Sequence, residues 1–259
     1  MTEEDLFAHI VRAIRALVPP EQLISDLDNP FVGADYDLLQ SMLMAGGPDH
    51  TIRLWRRPKS LITSRRLAQK REFPEAAEAS ARRGWPVEVR QSAGLTVAHH
   101  PGVLNIACLT ILPPDFAGLQ VSSVYDDLLD LMVGACRGLG VETGRGAVEG
   151  AYCDGSQNLT FAGRKLAGAS ARLIRASNGT GILSHASLTV YGNVEEDVAA
   201  VRAFEQALGL DANYSPAAHC SLVDALTSMS RPPRMSSSSS CDRGPSLRSS
   251  LGDRPNFSL

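Results

Sequence analysis

A cysteine and a lysine twelve residues apart are the side chains of this sequence best suited to covalent chemistry. Cys153 lies in the short polar segment Y-C-D-G, and Lys165 lies in the small-residue segment G-R-K-L-A-G-A-S. A thiolate attacks carbonyl groups, and a nearby cation favours the thiolate and stabilises the oxyanion that forms. The pair therefore predicts acyl transfer through a thioester on Cys153.

Lys165 also has a purely structural interpretation. A lysine in an apolar strand often extends its ammonium to the surface, because burying an unpaired ammonium is costly. Cys108 and Cys136 lie in apolar patterns typical of a core, whereas Cys153 has the polar flanks expected of an accessible thiol. With Cys153 and Lys165 in one short segment, a shared site is the favoured interpretation.

A second candidate segment is R-Q-S-A-G-L-T-V-A-H-H-P-G-V-L-N, residues 90–105. Ser92, Ala93 and Gly94 leave room for a ligand to approach the backbone. The alternative is a tight connection in which Gly94 supplies its backbone angles. His99 suits a general base or a partly exposed strand end. No carboxylate or cysteine stands at metal-ligand spacing from it, so we predict no metal site.

Composition limits the class of protein. The 259 residues carry a net charge of −3 and five cysteines, and no apolar run is long enough to cross a bilayer. The acidic, amphipathic start M-T-E-E-D-L-F-A-H-I resembles neither a secretion signal nor a transit peptide. These features predict a cytoplasmic protein with reduced thiols that does not bind a membrane.

Residues 53–90 form a distinct basic region, with eleven Lys and Arg against four Glu. Such a region can steer an acidic partner, or it can be a solvated surface. We do not predict nucleic-acid binding, because no aromatic platform or known reading motif accompanies the charge.

The order of helical and strand patterns predicts the fold class. Several strand patterns follow one another directly and others alternate irregularly with helices, which indicates an α+β fold with a mixed β-sheet flanked by helices. We expect a catalytic domain over residues 1–228. Residues 229–259 are rich in Ser, Pro and Arg and poor in apolar residues, so we expect a disordered tail.

Taken together, the motifs resemble those of the lipoate and octanoate transferases and ligases, which share a fold with biotin protein ligase. Ser92-Ala93-Gly94, His99 and Gly102 resemble the ligases' S-G-G-G-x-V-x-H-D-x-G-N and the octanoyltransferases' R-G-G-x-V-x-x-H-G-P-G. The segment 163–168 resembles G-K-K-I-x-G, whose lysine contacts the acyl carbonyl. The resemblance spans roughly residues 30–228.

The cysteine-dependent octanoyl amidotransferases share still more of these motifs. Their S-Y-C-P-G and G-K-K-F-A-G-I-S are similar to residues 151–155 and 163–170 here, and their G-V-L-N is similar to residues 102–105. Two positions depart from the pattern, Ala93 in place of glycine and His100 in place of an acidic residue. Either would narrow the pocket or change the acyl group accepted.

The resemblance implies an acyltransferase of protein lipoylation. An octanoyl or lipoyl group would pass through a thioester on Cys153, with Lys165 as the second catalytic residue, to the target lysine of a lipoyl domain. The implied partners are glycine cleavage H protein or 2-oxoacid dehydrogenase subunits, with acyl carrier protein as a further donor, and no cofactor is implied. The implied substrate-binding residues are Arg90, Ser92, Ala93, Gly94, His99, Asn105, Gly168 and Ala169.

Two other functions remain open from the sequence. An ATP-dependent lipoate-protein ligase would use ATP and magnesium and would not need Cys153. A non-catalytic protein that binds lipoyl domains or acyl groups would keep the fold alone. Retention of both Cys153 and Lys165 argues against the second.

Overall fold

The computed structural model describes residues 1–29, 31, 33–45, 48–112 and 123–230. Its helices are α1 (Glu3–Arg15), α2 (Ala34–Ala45), α3 (Arg65–Ala68), α4 (Phe73–Arg82), α5 (Ser123–Gly138), α6 (Val194–Ala207) and α7 (Leu222–Ser230). Its strands are β1 (Leu23–Ser25), β2 (His50–Trp55), β3 (Ser60–Ser64), β4 (Val87–Arg90), β5 (Val97–His99), β6 (Val103–Leu112), β7 (Gly144–Arg145), β8 (Asn158–Phe161), β9 (Arg164–Ala176) and β10 (Gly179–Thr189).

In the described residues, seven strands form the larger sheet in the order β1-β2-β6-β10-β9-β8-β7. Strands β2, β6, β10, β9 and β8 pair antiparallel, while β1 pairs parallel with β2. A smaller sheet has the order β4-β3-β5, with β3 parallel to β4 and antiparallel to β5. The mixed sheets with flanking helices confirm the predicted α+β class.

Alternation along β6 shows how the larger sheet separates a core from the site. Leu104 and Ile106 are fully buried in the core cluster that includes residues of α1 and α5. Successive strand residues point to opposite faces, so Asn105 between them faces the other way and lines a pocket. One strand thus supports the core with one face and the site with the other.

The smaller sheet packs against α4 and α6 through a second apolar cluster. Leu61 of β3, Ala98 of β5, and Val201 and Phe204 of α6 are buried there, together with Tyr152 from the segment before β8. A third cluster, which includes Leu39 of α2 and residues of β6 and β10, covers one end of the larger sheet. The space left between the two sheets and α2 is the pocket described below.

Most predicted elements are present, with differences at their ends. The sequence pattern of residues 103–112 predicts a strand, and β6 has those bounds. The pattern of residues 164–169 also predicts a strand, but β9 continues to Ala176. The short elements β1, α3 and β7 were not predicted, since two to four residues carry little periodicity. Helix α7 extends two residues past 228, and the rest of the predicted tail, residues 231–259, lies outside the described residues.

No helix in the part of the chain that the structure describes combines the length and apolar character needed to cross a bilayer.

Candidate active site

A pocket of about 990 Å³, its open mouth included, lies between the two sheets. Apolar side chains form much of its wall, among them Trp55, Ile62, Val97, Leu166 and Leu183. This apolar lining is typical of a site for a small organic ligand or an acyl chain. Cys153 and Lys165 both line it, so the structure brings the two residues of the predicted pair into one cavity.

Cys153 lies at the bend of the loop that precedes β8, in a left-handed backbone conformation with φ of 44°. A residue with a Cβ adopts this region at a cost of about 1 kcal/mol or more, so neighbouring contacts must hold it. Asp154 accepts hydrogen bonds from the Val148 N–H at 2.9 Å and from Asn158 Nδ2 at 2.6 Å. Asn158 Nδ2 also donates to the Gly155 carbonyl at 2.6 Å. The loop is thereby closed around the cysteine.

The Cys153 sulfur is surrounded by donors. The Leu95 N–H donates to Sγ at 3.3 Å, and Arg90 Nη2 lies 4.0 Å from Sγ. Arg90 is held in place by its other bonds, to the carbonyls of Ile62, Ala93 and Leu95. Burial lowers the pKa of Arg90, but an arginine keeps its charge in proteins. A fixed cation and an amide therefore face the thiol.

Gly94 makes this close approach possible. Its φ is 108°, and a Cβ at this position would lie 2.7 Å from Arg90 Nη2 and 3.1 Å from Cys153 Sγ. Both the backbone conformation and the space therefore require glycine.

Lys165 is buried, with 6% of its surface exposed, and its ammonium points at the cysteine's backbone. Nζ donates to the carbonyls of Tyr152 at 2.8 Å and Cys153 at 2.9 Å. Burial lowers the pKa of Lys165, while electrostatic interactions with Cys153 and Asp154 oppose that shift. The ammonium does not reach the surface, which was the alternative considered from the sequence.

Gly168 and Ala169 follow on β9 and line the same pocket. A Cβ on Gly168 would lie 2.9 Å from Lys165 Cε and 3.0 Å from its Nζ. The lysine side chain thus lies directly over Gly168, which gives the G-R-K-L-A-G spacing a steric reason.

His219 was not singled out from the sequence, yet it packs against the cysteine loop. Its ring stacks on that of Tyr152 with centroids 4.3 Å apart, and its Nε2 accepts the Tyr152 N–H at 3.2 Å. Burial, and next the charge of Lys165, lower the pKa of His219 to about 3, so the ring is neutral. The backbones of Lys165 and His219 pair in an isolated parallel β-bridge. The two residues are 54 positions apart, so no local motif reveals this pairing.

The predicted substrate-binding histidine and asparagine form a buried chain of hydrogen bonds. His99 Nε2 lies 3.1 Å from Ser187 Oγ, which donates to Asn105 Oδ1 at 2.8 Å. Burial keeps the pKa of His99 well below its usual value, so it is neutral. Because the Ser187 hydroxyl donates its proton to Asn105, it must accept the hydrogen bond from His99, and His99 Nε2 therefore carries a proton. His99 thus fixes part of the pocket wall, away from the Cys153 sulfur contacts.

Ser92 also lines the pocket, where its Oγ lies 2.9 Å from Nε2 of a second histidine, the half-buried His185. Burial lowers the pKa of His185 to about 4. In the described structure Ala93 and Gly94 do not line the pocket. Ala93 accepts bonds from Arg90 and Ser170 through its carbonyl, and Gly94 faces the sulfur.

His100, the second departure from the family motif, points away from the pocket. Its Nε2 lies 3.2 Å from Asp197 Oδ2 on α6, and its Nδ1 accepts the Gly102 N–H at 3.1 Å. It does not narrow the pocket among the residues described. Within those residues there is also no cluster of three or more side chains that could hold a metal ion.

This arrangement suits nucleophilic attack by a thiolate. An amide and a guanidinium face the sulfur, a lysine holds the backbone on either side of it, and an apolar cavity opens beside it. Donors fixed before the reaction stabilise developing negative charge without reorganising.

Comparison with known proteins adds the family. The model of the lipoyl protein ligase A/B catalytic domain matches residues 34–238. An uncharacterised protein of Cupriavidus necator is 30% identical over 232 residues, which are 85% of this chain and 91% of that protein. An octanoyl-[GcvH]:protein N-octanoyltransferase of Geobacillus kaustophilus is 30% identical over 139 residues, and one of Kyrpidia tusciae is 38% identical over 134 residues.

The matched segments cover 54% and 49% of this chain, and this chain spans only 48% and 42% of the lengths of those two enzymes. Among solved structures, lipoate-protein ligase A bound with ATP is similar over 78% of this chain and 76% of that one. Its TM-score is 0.57 at 16% identity, which shows a shared fold. The family model spans well over half of the chain, and so this chain belongs to the lipoyl protein ligase A/B catalytic domain family.

Proposed function

We propose that this protein transfers an octanoyl group, or a lipoyl group, through a thioester on Cys153 to the target lysine of a lipoyl domain. The observation that carries the proposal is the Cys153 sulfur at the pocket wall, with the Leu95 N–H and Arg90 facing it. The similarity to two octanoyl-[GcvH]:protein N-octanoyltransferases supports this choice within the family.

The first half-reaction loads the enzyme. The Cys153 thiolate attacks the acyl carbonyl, a C–S bond forms to Cys153, and the bond to the donor's sulfur or nitrogen breaks. The donor leaves with the electron pair and takes up a proton. The acyl chain occupies the apolar pocket, where seven carbons at about 0.8 kcal/mol each contribute at most about 5–6 kcal/mol.

The second half-reaction delivers the acyl group. The target lysine, as the free amine, attacks the thioester carbonyl, so that a C–N bond forms and the C–S bond to Cys153 breaks. The amine's proton passes to solvent and the thiolate is regenerated. The thioester is already activated, so the proposed reaction consumes no ATP and needs no cofactor.

The two cations have separate parts in this proposal. Arg90 is the charge beside the sulfur and favours the thiolate. Lys165 fixes the carbonyls of Tyr152 and Cys153 and lies where it can also donate to an oxyanion formed next to them.

The proposed acceptors are lipoyl domains, either glycine cleavage H protein or 2-oxoacid dehydrogenase subunits. The GcvH in the names of the two relatives supports the H protein as donor. Acyl carrier protein is a further proposed donor, and we propose no nucleic-acid partner and a cytoplasmic location.

A transfer assay tests the function. Octanoylated H protein or octanoyl-acyl carrier protein is mixed with an apo lipoyl domain, without ATP, and the mass of the lipoyl domain is followed. We expect a gain of one octanoyl group with wild type and none with Cys153→Ala. Labelling that requires ATP and free lipoate, and that Cys153→Ala retains, would identify a ligase. The absence of labelling under both conditions would indicate a binding protein.

A further inference from the structure

A buried carboxylate on α6 lies beside the cysteine site and has no part in the mechanism above. Glu205 has none of its surface exposed and is next to Phe204 in the apolar cluster under the smaller sheet. Its Oε1 accepts the Thr96 N–H at 2.7 Å, and its Oε2 accepts the Tyr214 hydroxyl. Burying a carboxylate is costly unless its oxygens are hydrogen-bonded, and here both are.

The segment that Glu205 binds is the one that faces the sulfur. Thr96 directly follows Leu95, whose N–H donates to Cys153 Sγ at 3.3 Å and whose carbonyl accepts Arg90 Nη2 at 2.6 Å. The Thr96 N–H and the Leu95 carbonyl belong to one peptide group, so Glu205 holds the same group that binds Arg90, and the Leu95 N–H lies one peptide group before it. The Thr96 side chain is fixed as well, with Oγ1 3.1 Å from Thr63 Oγ1.

Tyr214 connects the same carboxylate to the cysteine loop. Its ring contacts Tyr152 edge to face with centroids 6.3 Å apart. Burial, and next the bond to Glu205, raise the pKa of Tyr214, so its hydroxyl stays protonated and remains a donor. Glu205 therefore links the two segments that meet at Cys153, residues 95–96 before β5 and the loop that contains Tyr152.

We propose that Glu205 is a positioning residue: from α6 it holds Thr96 so that the Leu95 N–H and Arg90 stay directed at the Cys153 sulfur. The inference rests on the proposed function only in assuming that Cys153 is the nucleophile. The reactivity of its sulfur can be measured without any acyl donor.

Three variants separate geometry from charge. Glu205→Gln keeps an acceptor for Thr96 and removes the charge, Glu205→Leu removes both, and Glu205→Asp keeps the charge but is one methylene shorter. Val201→Ala is the matched control, because it removes apolar volume from the same helix and the same cluster without changing a hydrogen-bonding group. The readout is the rate of iodoacetamide alkylation at pH 7.5, counted on the peptide that contains Cys153, together with kcat and KM of acyl transfer.

We expect Glu205→Leu to alkylate at least tenfold more slowly than Glu205→Gln, with kcat reduced in proportion and KM within twofold. Val201→Ala should match wild type in alkylation even where its melting temperature is lower. If the leucine variant does not fold, Glu205→Asp should alkylate at least fivefold more slowly than wild type. Equal alkylation of the leucine and glutamine variants would overturn the proposal, as would a wild-type rate for Glu205→Asp in that case.

These results also separate the two proposals. A protein that shows this order of alkylation but transfers no acyl group keeps the positioning role of Glu205 and loses the proposed function. A protein that transfers acyl groups while the variants alkylate alike loses the role of Glu205 and keeps the function.

Discussion

The two buried cations beside Cys153, Arg90 and Lys165, have the same charge but different partners. Arg90 donates to three backbone carbonyls and places one nitrogen 4.0 Å from the sulfur. Lys165 donates to the carbonyls of Tyr152 and Cys153, on the backbone side of the same residue. One cation faces the reacting atom, and the other holds the strained backbone that carries it.

The difference shows what each side chain is suited to do. The planar guanidinium of arginine keeps its charge when buried and can bind several carbonyls while one edge stays directed at the thiol. The ammonium of lysine is a compact donor at the end of a flexible chain, and here it lies over Gly168 and satisfies two carbonyls beside Cys153. Sequence motifs alone assign the cation role to Lys165 and leave Arg90 as a substrate contact.

Among substitutions of the residues around Cys153, the largest effect is expected from removing the lysine donor. Lys165→Met should lower kcat of acyl transfer about 100-fold or more, because two buried carbonyls lose their donor and the oxyanion loses a nearby cation. Lys165→Arg should recover only part of the loss, since the larger head group does not fit over Gly168. Steady-state transfer kinetics measure both, and a methionine variant within threefold of wild type would contradict the role of Lys165.

A smaller effect is expected from substitutions of Arg90, which should lower the reactivity of the Cys153 sulfur. Arg90→Lys keeps the charge but cannot bind three carbonyls and face Sγ at once, whereas Arg90→Gln removes the charge. Alkylation of Cys153 by iodoacetamide at pH 7 should slow about tenfold in Arg90→Gln and less in Arg90→Lys. If Arg90→Gln alkylates at the wild-type rate while Lys165→Gln is slow, the two cations have the opposite roles.

Gly168→Ala tests whether the position of the Lys165 ammonium matters for transfer. The added Cβ would lie 2.9 Å from Lys165 Cε, so the ammonium must shift by a few tenths of an ångström or more from the two carbonyls. We expect kcat to fall about tenfold with little change in KM. Gly155→Ala is the control, because it lies in the cysteine loop with open space around the added methyl and should keep wild-type kcat. Equal kcat for the two variants would mean that the lysine position is not critical.

The smallest effect concerns stability and a group that stays neutral beside these cations. Burial, and next the charge of Arg90, lower the pKa of His185 to about 4, from 6.5 in an unfolded chain. Between these values the unfolded state binds the extra proton, so stability is full above pH 6.5 and is lost as the pH falls towards 4.

This single histidine should lower the free energy of unfolding at pH 5 by about 2 kcal/mol relative to pH 7.5. Urea unfolding of wild type and His185→Gln at pH 5 and at pH 7.5 measures this change. The variant should lose less free energy of unfolding on acidification, by roughly that amount. An identical loss in both proteins would show that the folded protein does not hold His185 in the neutral form.

Local sequence patterns were sufficient for the larger elements and for the central pair. The apolar run of β6 is long enough to fix its bounds, and the short spacing between Cys153 and Lys165 places them on the loop before β8 and on β9, the strand that pairs with β8. The contacts that depend on distant segments were not predictable. His219 reaches Lys165 across 54 residues, and Glu205 looks like an ordinary polar residue of an amphipathic helix until α6 is packed against Thr96.

The contacts of the small residues 92–94 depend on a segment that is distant in the sequence. Residues 92–94 lie next to the site, as their pattern indicates. Gly94, however, makes room for the cysteine sulfur instead of a ligand, because the cysteine loop folds onto it from 59 residues away. How two distant segments of this kind pack against each other cannot be predicted from the sequence of either segment alone.

The central claim is that Cys153 carries the acyl group, and intact-mass spectrometry tests it most directly. Wild type and Cys153→Ala are mixed without ATP with octanoyl-acyl carrier protein and, separately, with octanoylated H protein. We predict a mass gain of one octanoyl group on wild type that hydroxylamine removes and that maps to Cys153, and no gain on the variant. Transfer to a lipoyl domain at the wild-type rate by Cys153→Ala, with no adduct on wild type, would contradict the account.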